Sequence, residues 1–444
     1  MRTHLFLPAI MLAATATAQP QPGSQRAIHY TEFDLSNGLH VILHRDNSTP
    51  IVCVSVMYHV GSKNERPDRR GFAHFFEHLL FEGSAHIERG EFSRLVEEAG
   101  GVLNANTTGD RTYYYEVLPS NHLELGLWLE SERMLHARVD RTGIDTQREV
   151  VKEERRQRYE NQPYGSILIE VLKRAYTVHP YQWPTIGFME DLDAADERDY
   201  QEFYRTWYVP DNAVLVVAGD IDEAAARKLV EKYFGDIPRG GLKRPALPVE
   251  PALPGEVRDT VYDRVQLPAV VHAYRIPALG SKDYYAVDLV NRILSGGNSA
   301  RLNTVLKDRQ RLAIATGAFT LPFEDPGLAI LFAISNMGVE AGVLDEGIEQ
   351  VVHDLHQHGI TAEELEKLKA QLETEYLSEN SRVAGVANNL ANAHMLLGST
   401  ELVNTELERY LALTPADIQR AAQVYFAPWN RVVLYYLPDP HNEP

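Results

Sequence analysis

One cysteine, Cys53, in 444 residues rules out any disulfide within the chain. It falls in the apolar run Ile51–Met57, the setting of a small buried hydrophobe rather than of a reactive thiol. No apolar run of about 18 residues or more occurs, so no membrane span is expected. Basic residues are scarce: 43 Lys and Arg stand against 62 Asp and Glu, a formal charge of −19. Nucleic acid and anionic membranes are bound through basic patches, so neither is an expected partner. No phosphate loop is present either, because Gly296-Gly297-Asn298 has no Gly-Lys-Ser/Thr after it and reads as a turn.

What the chain has begins with its first 18 residues. Arg2, the apolar run Leu5–Ala14 and the small-residue site Ala16-Thr17-Ala18 have the order of a signal peptide. Export is therefore expected, in a bacterium to the periplasm. The segment 27–235 then alternates strand-like runs (Ile51–His59, Ala213–Ala218) with helix-periodic ones (Phe72–Phe81, Phe92–Ala99, Asp145–Tyr159). Residues 236–256, with prolines at 238, 245, 248, 251 and 254, read as an extended linker. A second strand-and-helix pattern fills 257–440.

The two halves repeat one another. Gly61-Ser62-Lys63 and Gly280-Ser281-Lys282 are offset by 219 residues. Near the end of each half an Asp precedes a Pro by eleven residues, followed by Asn and an apolar strand. These are Asp199, Pro210, Asn212 and Asp417, Pro428, Asn430, offset by 218. Two anchors at nearly one offset imply an α+β fold of two homologous domains, each a sheet covered by helices.

The chemistry centres on His74-Phe75-Phe76-Glu77-His78. Residues four apart share one face of a helix, so His74 and His78 can present both imidazoles to one metal ion. Glu77 projects beside the same place and can take a proton from a metal-bound water. A catalytic zinc needs a third protein ligand and an open position. Val150 and Val151 set the expected buried direction of the segment Gln147–Tyr159, and Glu154 falls near the line between them, whereas Glu153 points away. A carboxylate on a core face is costly unless paired or bound to a metal, which makes Glu154 the candidate third ligand. Glu149, Glu153 and Arg155 read as a solvated face. The bland alternative is a pair of core histidines bonded to a carboxylate.

The order His-x-x-Glu-His marks the inverzincins. With Glu154 some 76 residues later in Val150-Val151-Lys152-Glu153-Glu154, the chain resembles the pitrilysin-like (M16) zinc metallopeptidases. Its length and two-domain pattern are most similar to the mitochondrial processing peptidase branch and its bacterial periplasmic relatives. The resemblance implies half of a clamshell around a closed chamber, a Zn2+ cofactor, and cleavage of unfolded peptides. Asn104 and Ala105, in Gly101-Val102-Leu103-Asn104-Ala105, resemble the family's edge strand for substrate.

The chain departs from the family pattern in two respects. Family members carry a second Glu seven residues before the ligand, where this chain has Gln147, expected to support the site by hydrogen bonding. Active clamshells also present an Arg and a Tyr seven residues apart toward the zinc from the opposite half. Here those positions hold Lys307 and Ile314, and Lys lacks the guanidinium fork while Ile lacks a hydroxyl. The second half has no zinc motif, since Ile293, Gly296 and Gly297 stand at the positions of His74, Glu77 and His78. A homologous partner subunit bearing the Arg/Tyr pair is therefore expected. The alternative is a non-catalytic scaffold or peptide-binding subunit of the same family.

Overall fold

A computed structural model describes residues 27–440, so the expected signal segment lies outside the described residues. The first half supplies β1 (Thr31–Asp34), β2 (His40–Arg45), β3 (Ile51–Tyr58), β4 (Val102–Thr107), β5 (Thr112–Pro119) and β6 (Ala213–Gly219), in the order β1-β2-β6-β3-β5-β4. The second supplies β7 (Val257–Asp263), β8 (Ala269–Ile276), β9 (Ala313–Leu321), β10 (Gly327–Ser335) and β11 (Arg431–Pro438), in the order β7-β11-β8-β10-β9. β2 runs parallel to β6 and β7 parallel to β11, while every other pair is antiparallel. Apart from β1, the two sheets therefore share one topology.

The sequence anchors perform the same tasks in both halves. Asp199 and Asp417 each accept from the backbone N–H of the N-cap residue of their helix, Asp196 at 3.1 Å and Thr414 at 3.0 Å, which closes a capping box. Asn212 and Asn430 each donate from Nδ2 to the last turn of that helix, to the Trp207 and Tyr425 carbonyls at 2.8 Å. Polar residues recur at that spacing because each fixes the angle between a helix and the strand that follows it.

Strands β3, β6 and β8 are buried almost end to end, which explains their largely apolar sequences, with Ser55, His272 and Arg275 the polar exceptions: both faces of each sheet are covered. One face of the first sheet packs on its own helices, among them Phe72–Leu79. Its other face is covered by Val383–Met395, a helix from the second half. Conversely, Ile167–Ala175 of the first half covers the outer face of the second sheet. Each half lends the other a helix, so the two cores are interlocked. The proline-rich stretch 238–253 has no helix or strand. It is nonetheless anchored, since Glu250 accepts from the backbone N–H groups of Thr177, Val178 and His179 at 2.7–2.9 Å and pairs with Arg275 at 2.9 Å.

A buried charge cluster fastens the halves beside β4. Lys63 Nζ lies 2.7 Å from Asp110 and 2.7 Å from Glu324 of the second half, and His59 reaches Glu324 at 2.8 Å. Removing one member of such a cluster strands the others without counter-charge, at a cost of about 3–5 kcal/mol. Lys63→Met is expected to lower the urea midpoint accordingly. A midpoint within error of the parent protein would show that the cluster adds nothing to stability.

Candidate metal centre

Helix Phe72–Leu79 begins at Gly71, whose φ of 95° favours glycine, and a Cβ there would meet the Gly187 backbone at 2.9 Å. The buried Glu65 carboxylate accepts from the Gly71 and Ala73 N–H groups at 2.8 Å each, filling the donors that a helix start leaves open. Tyr114 of β5 donates to the Phe76 carbonyl at 2.8 Å. The helix is thus fixed at its start and middle, and its apolar residues Phe72, Phe75, Phe76 and Leu79 lock it into the first core.

His74 and His78 face helix Arg141–Arg155. Their rings stand edge to face, with centroids 4.9 Å apart at 73°. Glu154 Oε2 lies 3.5 Å from His74 Nε2 and 3.1 Å from His78 Nε2, and one ligand atom from each residue lies within 4.8 Å of the others. Glu154 Oε2 is buried and makes no well-aligned hydrogen bond despite these short approaches. Three electron-pair donors converging on one point, with an oxygen left unsatisfied there, is what a zinc ion requires. Burial, then the neighbouring His78, lowers the His74 pKa to about 4, so its imidazole is a neutral electron-pair donor. Burial opposes ionisation of Glu154, but the close approach of the His78 and His74 rings and the charge of Arg158 outweigh it and hold the carboxyl below its usual range. Arg158 grips the other oxygen, Oε1, at 2.9 Å.

The buried face of helix Arg141–Arg155 differs from the expected one at Val150. Val150 is 44% exposed, so it does not mark the buried direction. That face is set by Ile144 and Val151, seven residues apart, with Glu154 one turn beyond Val151. Glu153 is on the solvated side, bonded to Arg156 at 3.1 Å and Gln157 at 3.0 Å. Arg155 is not: it donates to the Gly187 carbonyl and lies 5.2 Å over the Phe188 ring. After Arg155 the backbone widens into a π turn, Arg156–Glu160, which brings Arg158 back to Glu154.

Glu77 sits next to this cluster. Burial pushes its pKa up, partly offset by Thr107 of β4, whose hydroxyl donates to Glu77 Oε2 at 2.6 Å. Sequence reasoning missed both Thr107 and Arg158. The signals were an odd-numbered neighbour of Ala105 on the inward face of β4, and a basic residue four after the ligand. Gln147 donates from Nε2 to Glu82 Oε1 at 2.6 Å. A carboxylate is therefore present beside position 147 after all, supplied by Glu82, which is also paired with Arg89.

Among the described residues β4 is a free edge of the first sheet, paired only with β5. Asn104 is exposed and Ala105 half-buried. The Ala105 N–H is taken by the Asn104 side chain at 2.9 Å, so it faces the open edge rather than β5. Lys307 is exposed on the π turn Asn303–Arg309, and Ile314, 46% exposed, is on β9, the equivalent free edge of the second sheet.

Comparison with known proteins identifies the family. Zinc protease PqqE of Helicobacter pylori is 32% identical over 410 residues, 91% of this chain and 92% of that one. The crystal structure of a protease from Helicobacter pylori superposes with a TM-score of 0.88 at 30% identity, covering 93% of this chain and all of that one. The periplasmic protease PqqL of Escherichia coli has a TM-score of 0.76 at 18% identity, a likeness of fold. It covers 94% of this chain, which spans 48% of PqqL, so one fold unit here equals half of a double-length molecule. Residues 40–187 match the family Insulinase (Peptidase family M16) and residues 196–372 match Peptidase M16 inactive domain. With two homologous α+β domains forming half of a clamshell, this chain belongs to the M16 family of peptidases.

Proposed function

We propose that this chain is the zinc-bearing subunit of an exported endopeptidase that hydrolyses unfolded peptides. The observation that carries the reading is the convergence of His74, His78 and Glu154 with Glu77 beside them, next to a free strand edge. A zinc ion held by the three would polarise the scissile carbonyl and make water a stronger acid. Glu77, with Oε2 held by Thr107, keeps Oε1 to accept a proton from the attacking water and hand it to the departing amine. Periplasmic export rests on the sequence pattern of the first 18 residues.

An extended peptide is captured by strand addition along β4. Its carbonyl replaces Asn104 Oδ1 on the Ala105 N–H, exchanging one hydrogen bond for another. Folded proteins offer no such free strand and are poor substrates. Ala105→Pro deletes that donor, a loss of about 1–2 kcal/mol, or roughly a five- to thirty-fold rise in KM, with zinc content unchanged. A KM equal to that of the parent chain would place the peptide elsewhere.

The partner follows from Lys307 and Ile314, which stand where a guanidinium and a phenol would grip the peptide backbone. A homodimer would set the same deficient surface over each zinc, so symmetry does not restore the missing groups. A homologous chain carrying Arg and Tyr does. Loss of that grip costs on the order of 2–4 kcal/mol of transition-state binding, roughly thirty- to a thousand-fold in rate. Hydrolysis of a quenched peptide library is expected to rise by that factor as the sibling chain is titrated in, saturating near one to one. If the isolated chain already cleaves at the saturated rate, the split site is wrong. If Glu77→Gln leaves the mixture's rate unchanged, this chain is the scaffold subunit instead.

A further inference from the structure

A second group of metal-ligating side chains lies on the far side of the loop that follows the zinc helix. Glu132 and His136 stand four apart at the end of helix Leu123–His136, and His86 reaches over from the loop 82–90. One ligand atom from each lies within 4.8 Å of the others. The two rings stand edge to face, centroids 5.2 Å apart at 87°, close to the 4.9 Å and 73° of His74 and His78. Rings so disposed can aim their nitrogens at one point. The remaining His-carboxylate group among the described residues, Glu32 with His40 and His394, fails that condition, because its rings are stacked 3.6 Å apart at 14° and their electron pairs run in parallel planes.

Glu132 is 5% exposed, and among the described residues its carboxylate meets no Lys or Arg, only the His86 ring at 2.9 Å. The Ser84 hydroxyl donates to it at 2.5 Å but is neutral. The arginines nearby are committed elsewhere: Arg133 to Glu130 at 3.0 Å, and Arg138 to the Ser84 carbonyl at 2.9 Å and Glu88 at 3.5 Å. A buried carboxylate with no Lys or Arg calls for another cation. The site also lies at a helix C-terminus, where the macrodipole favours positive charge. His86, 60% exposed, keeps the way in from solvent open.

We propose that His86, Glu132 and His136 form a second, peripheral metal site for a borderline divalent cation, Zn2+ first among them. Two imidazoles and one carboxylate suit that class, with the fourth position left to solvent. The ion would staple the loop to helix Leu123–His136 beside the single bridge between Ser84 and Ala137. Binding is weaker than at the first centre, because the exposed His86 must be ordered and must give up its hydrogen bond to Glu132.

The test is equilibrium dialysis of the full chain against excess zinc, with Glu154→Gln used to weaken the first centre. The expected result is two zinc ions in the parent chain, one in His86→Ala and one in His136→Gln. Glu154→Gln should keep a zinc that is lost when His86→Ala is added. Cobalt loaded into Glu154→Gln should give visible d–d bands that His136→Gln removes, and both histidine variants alter only the surface end of the cluster. One zinc in the parent and in His86→Ala alike would overturn the site and leave a protonated His86 as the counter-ion of Glu132.

Discussion

Glu77→Gln is expected to retain its zinc and its fold while hydrolysing a quenched peptide at least 10²–10⁴-fold more slowly, the usual contribution of a positioned general base. The substitution is nearly isosteric, and an amide can still accept the Thr107 hydroxyl that fixes Glu77 Oε2 at 2.6 Å. What the amide cannot do is take up a proton and release it. Burial already pushes the Glu77 pKa upward, toward the working range of a proton shuttle. Because Glu77 is not among the converging ligand atoms, KM for peptide and metal content should change little, leaving the loss in kcat. Parent-like turnover in Glu77→Gln, assayed with the partner chain present, would remove Glu77 from the chemistry.

The parts of this site that were legible in the sequence are those that depend on local spacing. His74, Glu77 and His78 occupy one helical turn, so their mutual geometry needs only the helix. The duplication was legible because Asp199 with Asn212, and Asp417 with Asn430, do local capping work that restricts residue type. Glu154 was reached by a phase argument of which only half holds: Val151 is fully buried, but Val150 is not. Two adjacent valines cannot reveal which of them faces the core when polar residues flank both sides. Arg155 shows the same limit, since its aliphatic stem and guanidinium are absorbed by Phe188 and the Gly187 carbonyl, partners some 30 residues away. The exchange of helices Ile167–Ala175 and Val383–Met395 between the halves was beyond reach for a related reason. An amphipathic helix announces that it has an apolar face, not which sheet will cover it. Glu82 acts across a loop, and nothing in its immediate sequence distinguishes it, while Thr107 is marked only by its alternation with Ala105 along β4.

Glu154→Gln is expected to weaken zinc affinity by at least about 100-fold, more than losses typical of an outer-shell change, whereas Glu153→Gln binds as the parent does. The two residues are neighbours of equal charge, so composition, net charge and helix propensity are the same in both variants. Only the direction of the side chain differs. Glu154 Oε2 lies among the imidazoles of His74 and His78, while Glu153 is spent on Arg156 and Gln157 at the surface. Glutamine in place of Glu154 keeps the size but removes the negative charge that offsets a divalent cation, and it also leaves the Arg158 guanidinium, now paired at 2.9 Å, without its counter-charge. An uncompensated guanidinium next to the centre adds repulsion to the lost ligand charge. His74→Ala and His78→Ala should lose the metal as well, each by deleting an imidazole. Competition against a chromophoric chelator measures all four, with circular dichroism to confirm that each variant is folded. Parent-like affinity in Glu154→Gln, or a loss in Glu153→Gln as large, would mean that the third ligand is another residue.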